Sequence, residues 1–443
     1  MNKTTKRIVI LGGGFGGIYA AKQLEREFKK NQHIEIKFVS EQNYILFTPM
    51  LPEIPASSIE AKHIIYPIRA FFRKVEFQNS SVKFIDLKNQ TIDIFHCAQC
   101  KPMKLNYDYL VLALGAVTNF FGLPGVEEYA LPMKTLEDAM SLRNHVIDIL
   151  EHADMQTDPD IRRKMLTFVV AGGGFAGVET AAELKDFLDS TPRFYPNIHL
   201  EDIRVILVHA GSRILPEITK SLADYALTQL RKNAVEVLLN TKVAGAYSDW
   251  VALDNNRKIS SKTLVWTTGT SPSPILSSLT GLTNKRGQII VNKYLEVPGF
   301  QNVWAIGDCA EIPNPHTGKF YPPTAQHAVR EGELAARNIA ATILGKVKKG
   351  FSFNPLGVLA SLGHRSAVAE IFGIRFSGFI AWWLWRTIYL FKLPGVFNKL
   401  RVVIDWTLDL FFPRDIVLLK TLMNKTSDEV PTENVKNKPA DIH

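Results

Sequence analysis

Cysteine is scarce in this chain: Cys97, Cys100 and Cys309 are the only three among 443 residues. A disulfide framework is therefore not expected, and a reducing compartment fits. Cys97 and Cys100 form a C-x-x-C, but two thiols do not fill a tetrahedral zinc site and no second such pair exists. They read as incidental residues of a hairpin turn, or as a weak metal knuckle completed by a partner chain; no metal site is expected. Long apolar runs are also missing, since nothing approaches the roughly 20 residues that a spanning helix needs. No signal peptide is expected, because Ile8 already belongs to the first strand. Acidic residues thin out towards the C-terminus, where residues 346–425 hold twelve Lys or Arg against four Asp or Glu. Trp382, Trp383, Trp385 and Trp406 lie in the same stretch. Basic charge beside interfacial aromatics suits an anionic membrane surface. Nucleic acid is not an expected partner, because these aromatics sit in apolar runs and not among basic residues.

Glycine is present in a telling pattern. GGGFGG occupies residues 12–17 and GGGFAG residues 172–177, each after an apolar run (8–11 and 168–171) and each opening onto a helix-like segment. One G-x-G-x-x-G is a weak signal; two, each framed by strand and helix, point to two dinucleotide sites. The first glycine permits the tight turn, the second admits a pyrophosphate to the backbone, and the third lets helix and strand pack closely. The helix N-terminus adds amide donors and a partial positive charge.

The flanking segments predict a nested α/β fold. Residues 8–11, 14–28 and 34–39 read as strand, helix and strand, and 166–171, 174–187 and 203–208 repeat that unit. Between them lie short strands near 82–86, 91–95 and 109–114, a helix over 135–150 and a polar linker over 151–164. Strands near 262–268 and 302–306 follow. Two Rossmann-like domains are expected, one inserted in the other: residues 1–125 and 290–345 form the first and 126–289 the second. Residues 346–422 form a separate amphipathic-helix region for membrane anchoring, and 423–443 read as a disordered tail. Within that region 379–393 is apolar but too short and too charged to span. The stretch 399–412 places Arg401, Asp405 and Asp409 on one helical face as an ion-pair ladder, with Leu400, Ile404, Leu408 and Phe411 largely on others. Packing of both helices into a soluble core or a dimer interface is the alternative.

Five further segments carry a resemblance: VSEQNYILFTPMLPEIPASSI at 39–59, ALG at 113–115, TTGTSP at 267–272, AIGDCAE at 305–311 and PPTAQHAVREG at 322–332. In this order and spacing the chain resembles the two-dinucleotide-binding (pyridine nucleotide-disulfide oxidoreductase-like) flavoproteins, and within them the type II NADH:quinone oxidoreductases. The resemblance spans about residues 5–420. It implies a non-electrogenic, peripheral enzyme on the cytoplasmic face of the inner membrane. Hydride would pass from NADH, with NADPH admitted, to FAD, and two electrons from there to a membrane quinone. Residues 40–60 lack the cysteines of a disulfide reductase. A homodimer is compatible with the sequence. The rivals are a soluble NAD(P)H-dependent reductase of a small redox protein such as ferredoxin, and a non-catalytic nucleotide-sensing flavoprotein.

Residue by residue, the resemblance places FAD against Gly12, Gly14, Phe15, Gly17, Glu41, Pro49, Val82, Gly115, Gly307, Asp308 and Ala325. Glu41 would bind the adenosine ribose, although the family's acid often falls at Ser40, so a surface turn residue is the alternative. Asp308 would accept a ribityl hydroxyl. NAD(P)H would lie against Gly172, Gly174, Phe175, Gly177, Glu179, His209 and Gly269. Glu179, in the first turn of its helix, would position the nicotinamide at the flavin; a favourable charge on the helix dipole is the bland alternative. Glu183, one turn on, reads as structural. His209 stands where the family usually carries Glu, and a histidine does not repel a 2′-phosphate, which predicts relaxed discrimination between NADH and NADPH. A plain strand cap is the alternative there. Gln326, with Ala328 and Glu331, would border the quinone, and Glu179 and Gln326 are the candidate catalytic residues.

Overall fold

Strand β1 (Lys6–Leu11) is apolar from Ile8 to Leu11, where it is buried on both faces as a central parallel strand must be. The computed structural model describes residues 5–96 and 101–419. Cys97, Cys100 and the 423–443 tail lie outside the described residues. β1 runs through the first glycine loop into α1 (Phe15–Glu27), then β2 (Ile34–Ser40), β3 (Glu76–Asn79) and β4 (Tyr109–Leu112). The chain then crosses to a second sheet of β5 (Ala130–Pro132), β6 (Thr167–Ala171), β7 (Arg204–Val208), β8 (Val235–Leu238) and β9 (Thr263–Trp266). It returns as β10 (Val303–Ala305), which pairs with β4. Both five-stranded sheets are parallel, in the orders β10-β4-β1-β2-β3 and β5-β9-β6-β7-β8. Each glycine loop therefore leaves a central strand at its C-terminal end, where open α/β sheets bind ligands.

Strands Ala116–Thr118 and Thr270–Pro272, paired antiparallel, carry the chain out and back. The return falls earlier than residue 289. Leu276 and Leu279 pack in the first core with Ile8 and Ile10, so the stretch after Pro272 belongs with the first sheet. The expected polar linker 151–164 is instead helical. Helix α2 (Leu136–Met155) runs on past residue 150, and α3 (Pro159–Met165) follows under an Asp158 cap that accepts from the Asp160 and Ile161 amides. Its polar residues are the outward faces of helices, a pattern easily mistaken for a loop. Helix α4 (Phe175–Ser190) follows the second glycine loop, and α5 (Ala325–Ile343) packs across α1.

Beyond α5 the sequence pointed only to helices, yet residues 357–377 form an antiparallel sheet of β11 (Gly357–Ser361), β12 (Ala367–Ile371) and β13 (Ile374–Ser377). It precedes α6 (Gly378–Lys392) and α7 (Val396–Phe411). These two helices are built inside out. Ala381, Trp385, Val402 and Trp406 are buried, while Leu400, Ile404, Leu408 and Phe411 on α7 are exposed. The expected ladder within α7 is not formed. Asp405 pairs with His63, and Asp409 with Arg414 and Arg386. The carboxylates face the protein because their partners lie there, and that leaves the apolar side outward.

The α1–α5 crossing fixes the floor of the first loop. A Cβ on Gly332 would strike the Gly16 carbonyl and the Ala20 amide, both backbone atoms that cannot swing away. Gly332→Val is expected to lower stability by about 1–3 kcal/mol, read as a lower melting temperature. An unchanged melting temperature would contradict this packing.

Candidate functional site: two glycine cradles joined through a buried carboxylate cluster

The two loops share one geometry. Gly12 (φ +115°) and Gly172 (φ +118°) adopt backbone conformations that favour glycine. A Cβ on Gly17 would collide with the Gly12 carbonyl, and one on Gly177 with the Gly172 carbonyl. At Gly14 and Gly174, by contrast, a Cβ would meet nothing within 4 Å. Both are the N-cap residues of their helices, without a side-chain cap and without an acid in the first turn. The amides of Phe15, Gly16 and Gly17 and those of Phe175, Ala176 and Gly177 thus open each helix with no side-chain acceptor. That is the donor set a pyrophosphate needs, so the residues present fit a dinucleotide at each loop.

Around the first loop, Ser40 is buried with its hydroxyl against Gly13, whereas the Glu41 side chain is exposed and its carbonyl accepts from Asn79 Nδ2 at 2.6 Å. Pro49 is half-buried in the turn Thr48–Glu53, and Val82 is buried in the first core. Gly115 and Gly307 both have positive φ, as the turns ending their strands require. Asp308 pairs with Lys134 Nζ at 3.4 Å, a partner from the inserted region that the sequence did not suggest. Ala325 begins α5.

Two residues expected to border the quinone pack against the first cradle. The Ala328 methyl is 3.8 Å from where a Gly307 Cβ would be, and its carbonyl faces Gly16, so it packs beneath the first cradle. Glu331 is buried, and its Oε2 accepts the Gly307 amide at 2.8 Å. Gln326 donates through Nε2 to the Gly357 carbonyl at 2.9 Å, tying α5 to β11.

At the second loop His209 is held against the backbone: Nδ1 accepts the Gly173 amide at 3.0 Å. A Cβ on either Gly173 or Gly211 would run into its ring. Arg213 instead donates to the Pro216 carbonyl. Gly269 has φ +79°, and a Cβ there would meet the Phe121 ring.

Glu179 is the fifth residue of α4, beyond the first turn, so the dipole does not account for it. It is buried, and its Oε1 accepts from the Ser361 amide at 2.9 Å and from Trp385 Nε1 at 3.2 Å. The Ser361 hydroxyl donates to Glu183 Oε1 at 3.0 Å. Trp406 Nε1 donates to Glu53 Oε2 at 2.7 Å, leaving Glu53 Oε1 without a partner among the described residues. Two hydrogen bonds to a carboxylate contribute about 1.5–3 kcal/mol each, against a burial cost of several kcal/mol. Burial wins: it pushes Glu179 up to about 8, although Ser361 and Trp385 oppose it. Burial likewise raises Glu53 and Glu183. An aromatic chain runs alongside, from Phe15 through Phe47 and Tyr389 to Trp385 and Trp406, with centroid separations of 4.8–6.3 Å. The joining of Glu53, Glu183, Ser361 and Trp385 in one cluster escaped the sequence reading, because no local pattern marks partners so far apart.

Two parallel sheets with like cradles, linked by a C-terminal module, define an oxidoreductase of the class that holds two dinucleotides. A family model described as pyridine nucleotide-disulphide oxidoreductase matches residues 6–332, and one described as NDH2 C-terminal domain matches residues 356–415. The "Probable NADH dehydrogenase" of Dictyostelium discoideum is 33% identical, covering 93% of this chain and 91% of its own. The "Type II NADH:quinone oxidoreductase Ndh" of Mycobacterium tuberculosis is 31% identical, covering 90% and 87%. In fold, the solved structure of Plasmodium falciparum NDH2 in complex with NADH matches at a TM-score of 0.86 and 22% identity, covering 93% of this chain and 100% of that one. The chain belongs to the pyridine nucleotide-disulphide oxidoreductase family and, within it, to the type II NADH:quinone oxidoreductases.

Glu331 keeps its proton to about 8 in the folded chain, against 4.5 ordinarily, because it is buried. The folded state therefore binds more protons than the unfolded one across that window, and stability falls as pH rises through it. Glu331→Gln retains an oxygen for the Gly307 amide and does not titrate. Its melting temperature should fall less than the wild type's between about pH 5 and about pH 9. Parallel curves would contradict the buried, neutral carboxyl.

Proposed function

We propose that this chain is a non-electrogenic NADH:quinone oxidoreductase whose Gly12 loop would hold FAD, the group that would supply two-electron transfer between NADH and a membrane quinone. The observation that carries this reading is the connection of Glu179, on the helix that opens from the second cradle, to the module that bears the outward apolar helices. The Gly172 loop holds the exchangeable nucleotide by its helix amides. The two loops are unequal in the groups around them: Asp308, Lys134 and Glu331 shape the first, and His209 and Glu179 the second. Each turnover consumes one proton from solution along with the hydride. Glu179, neutral at about pH 7 by virtue of its burial, can hold a proton beside the reacting centre. Glu331 fixes the Gly307 turn, and Gln326, anchored to β11, borders the path by which a flat ring reaches the first cradle.

No helix among the described residues is long and apolar enough to cross a membrane. Trp383, Phe391, Leu400, Ile404 and Phe411 nevertheless stand exposed along α6 and α7. A patch of that kind rimmed by basic residues supports a protein that lies in the interface, on the cytoplasmic side, with its quinone entering from the membrane. Because the Gly173 amide holds His209 and no carboxylate occupies that position, NADPH is accepted as well as NADH.

Anaerobic stopped-flow mixing tests both points. NADH should bleach the flavin and a quinone analogue restore it, with NADPH within about a thousandfold of NADH in kcat/KM. Bleaching that only a small iron–sulfur protein reverses would favour a soluble reductase instead, and a greater preference for NADH would refute the role given to His209.

A further inference from the structure

Where α4 ends, the chain forms a cleft of about 360 Å³ that neither cradle uses. Its floor is an ion cluster in which Arg414 pairs with Asp186 at 2.9 Å and Asp409 at 2.7 Å, with Arg386 beside Asp409 at 4.0 Å. Arg414 Nη1, buried, has no acceptor among the described residues. Arg193 and Arg365 also line the cleft, both exposed and neither paired with a carboxylate among the described residues. Trp382, Leu410 and Phe412 line it as well, and the last two are exposed like the outward apolar side of α7.

The turn presenting Arg365 is strained. Gly363, His364 and Arg365 have φ of +66°, +43° and +56°, so two residues with a Cβ sit in the left-handed region. Side chains with a Cβ adopt that region at a steric cost. Hydrogen bonds from Leu362 N to Ser366 O and from Ser366 N to Gly363 O hold it, and His364 leans on Asp186 at 3.0 Å. The cleft thus brings together two exposed guanidiniums, a buried donor without an acceptor among the described residues, and apolar side chains exposed like the outer side of α7.

We propose that this cleft binds the phosphodiester headgroup of an anionic phospholipid. Arg193 and Arg365 take the phosphate oxygens, Arg414 Nη1 reaches up from the floor, and an acyl chain lies along Trp382, Leu410 and Phe412. Guanidinium is suited to this task because its planar fork matches phosphate oxygens in pairs. A free phosphate lacks the chain that would use these apolar side chains, so the lipid is the occupant. The inference rests on the peripheral membrane reading and deepens it by naming the lipid class and the residues that select it.

The test is co-sedimentation of the full flavin-loaded chain with vesicles of phosphatidylcholine alone or mixed with phosphatidylglycerol. Wild type should bind the anionic vesicles more tightly. Arg193→Gln with Arg365→Gln should lose about tenfold or more of that binding, with its affinity for phosphatidylcholine and its reduction by NADH unchanged. Removing two charges elsewhere, Arg231→Gln with Lys232→Gln, should cost little. A cleft variant that keeps the anionic preference, or a control variant that loses as much, overturns the site. Equal binding of wild type to both vesicles overturns the site while leaving the membrane reading intact, and no binding to either overturns both.

Discussion

Burial of Glu179 is the constraint on which the rest of this structure depends. The residue sits on the helix that opens from the second glycine loop, yet its hydrogen-bond donors come from 182 and 206 residues further along the chain. Ser361 supplies a backbone amide and Trp385 an indole, and together they compensate less than the cost of holding a charge out of water. The carboxyl therefore stays protonated at neutral pH, and the C-terminal module sets both its position and its state. Glu53 repeats the arrangement through Trp406, so each of the two final helices is fastened to the nucleotide-binding body by one tryptophan on one buried acid.

That fastening explains the inverted character of α7. With Trp406, Asp405 and Asp409 turned inward to Glu53, His63, Arg386 and Arg414, the remaining apolar side chains have only the outside to face. The exposed surface is a consequence of which residues the body requires. It is also the surface on which the proposed membrane association rests. Buried Glu179 and a helix with exposed apolar residues are thus joined through one tryptophan, Trp385.

Much of the fold was legible because strand, glycine loop and helix are local signals. The parallel strands show as apolar runs, and the glycine spacing shows where the backbone turns back under steric demands no other residue meets. The return at 270–272 and the sheet at 357–377 were not legible, since short antiparallel strands carry little periodicity and their pairing is set by neighbours in space. The linker at 151–164 failed for the opposite reason: a strongly polar helix face resembles a loop when read residue by residue. At the site, Glu179 was visible through its motif. Its partners, the His209 contact with Gly173, and the inward turn of Asp405 and Asp409 depend on long-range contacts that no window of sequence contains. Glu331 and Ala328 were visible as part of a helix, but which of its faces meets the first cradle was decided by the glycine contact at Gly332.

The central claim, that the C-terminal module holds Glu179 buried and neutral, is open to direct observation. Infrared difference spectroscopy of wild type against Glu179→Gln reports the protonation of that one side chain. A protonated carboxyl carbonyl band should be present at about pH 7 and give way to carboxylate bands as the pH passes about 8. Carboxylate bands alone at about pH 7 would contradict the account.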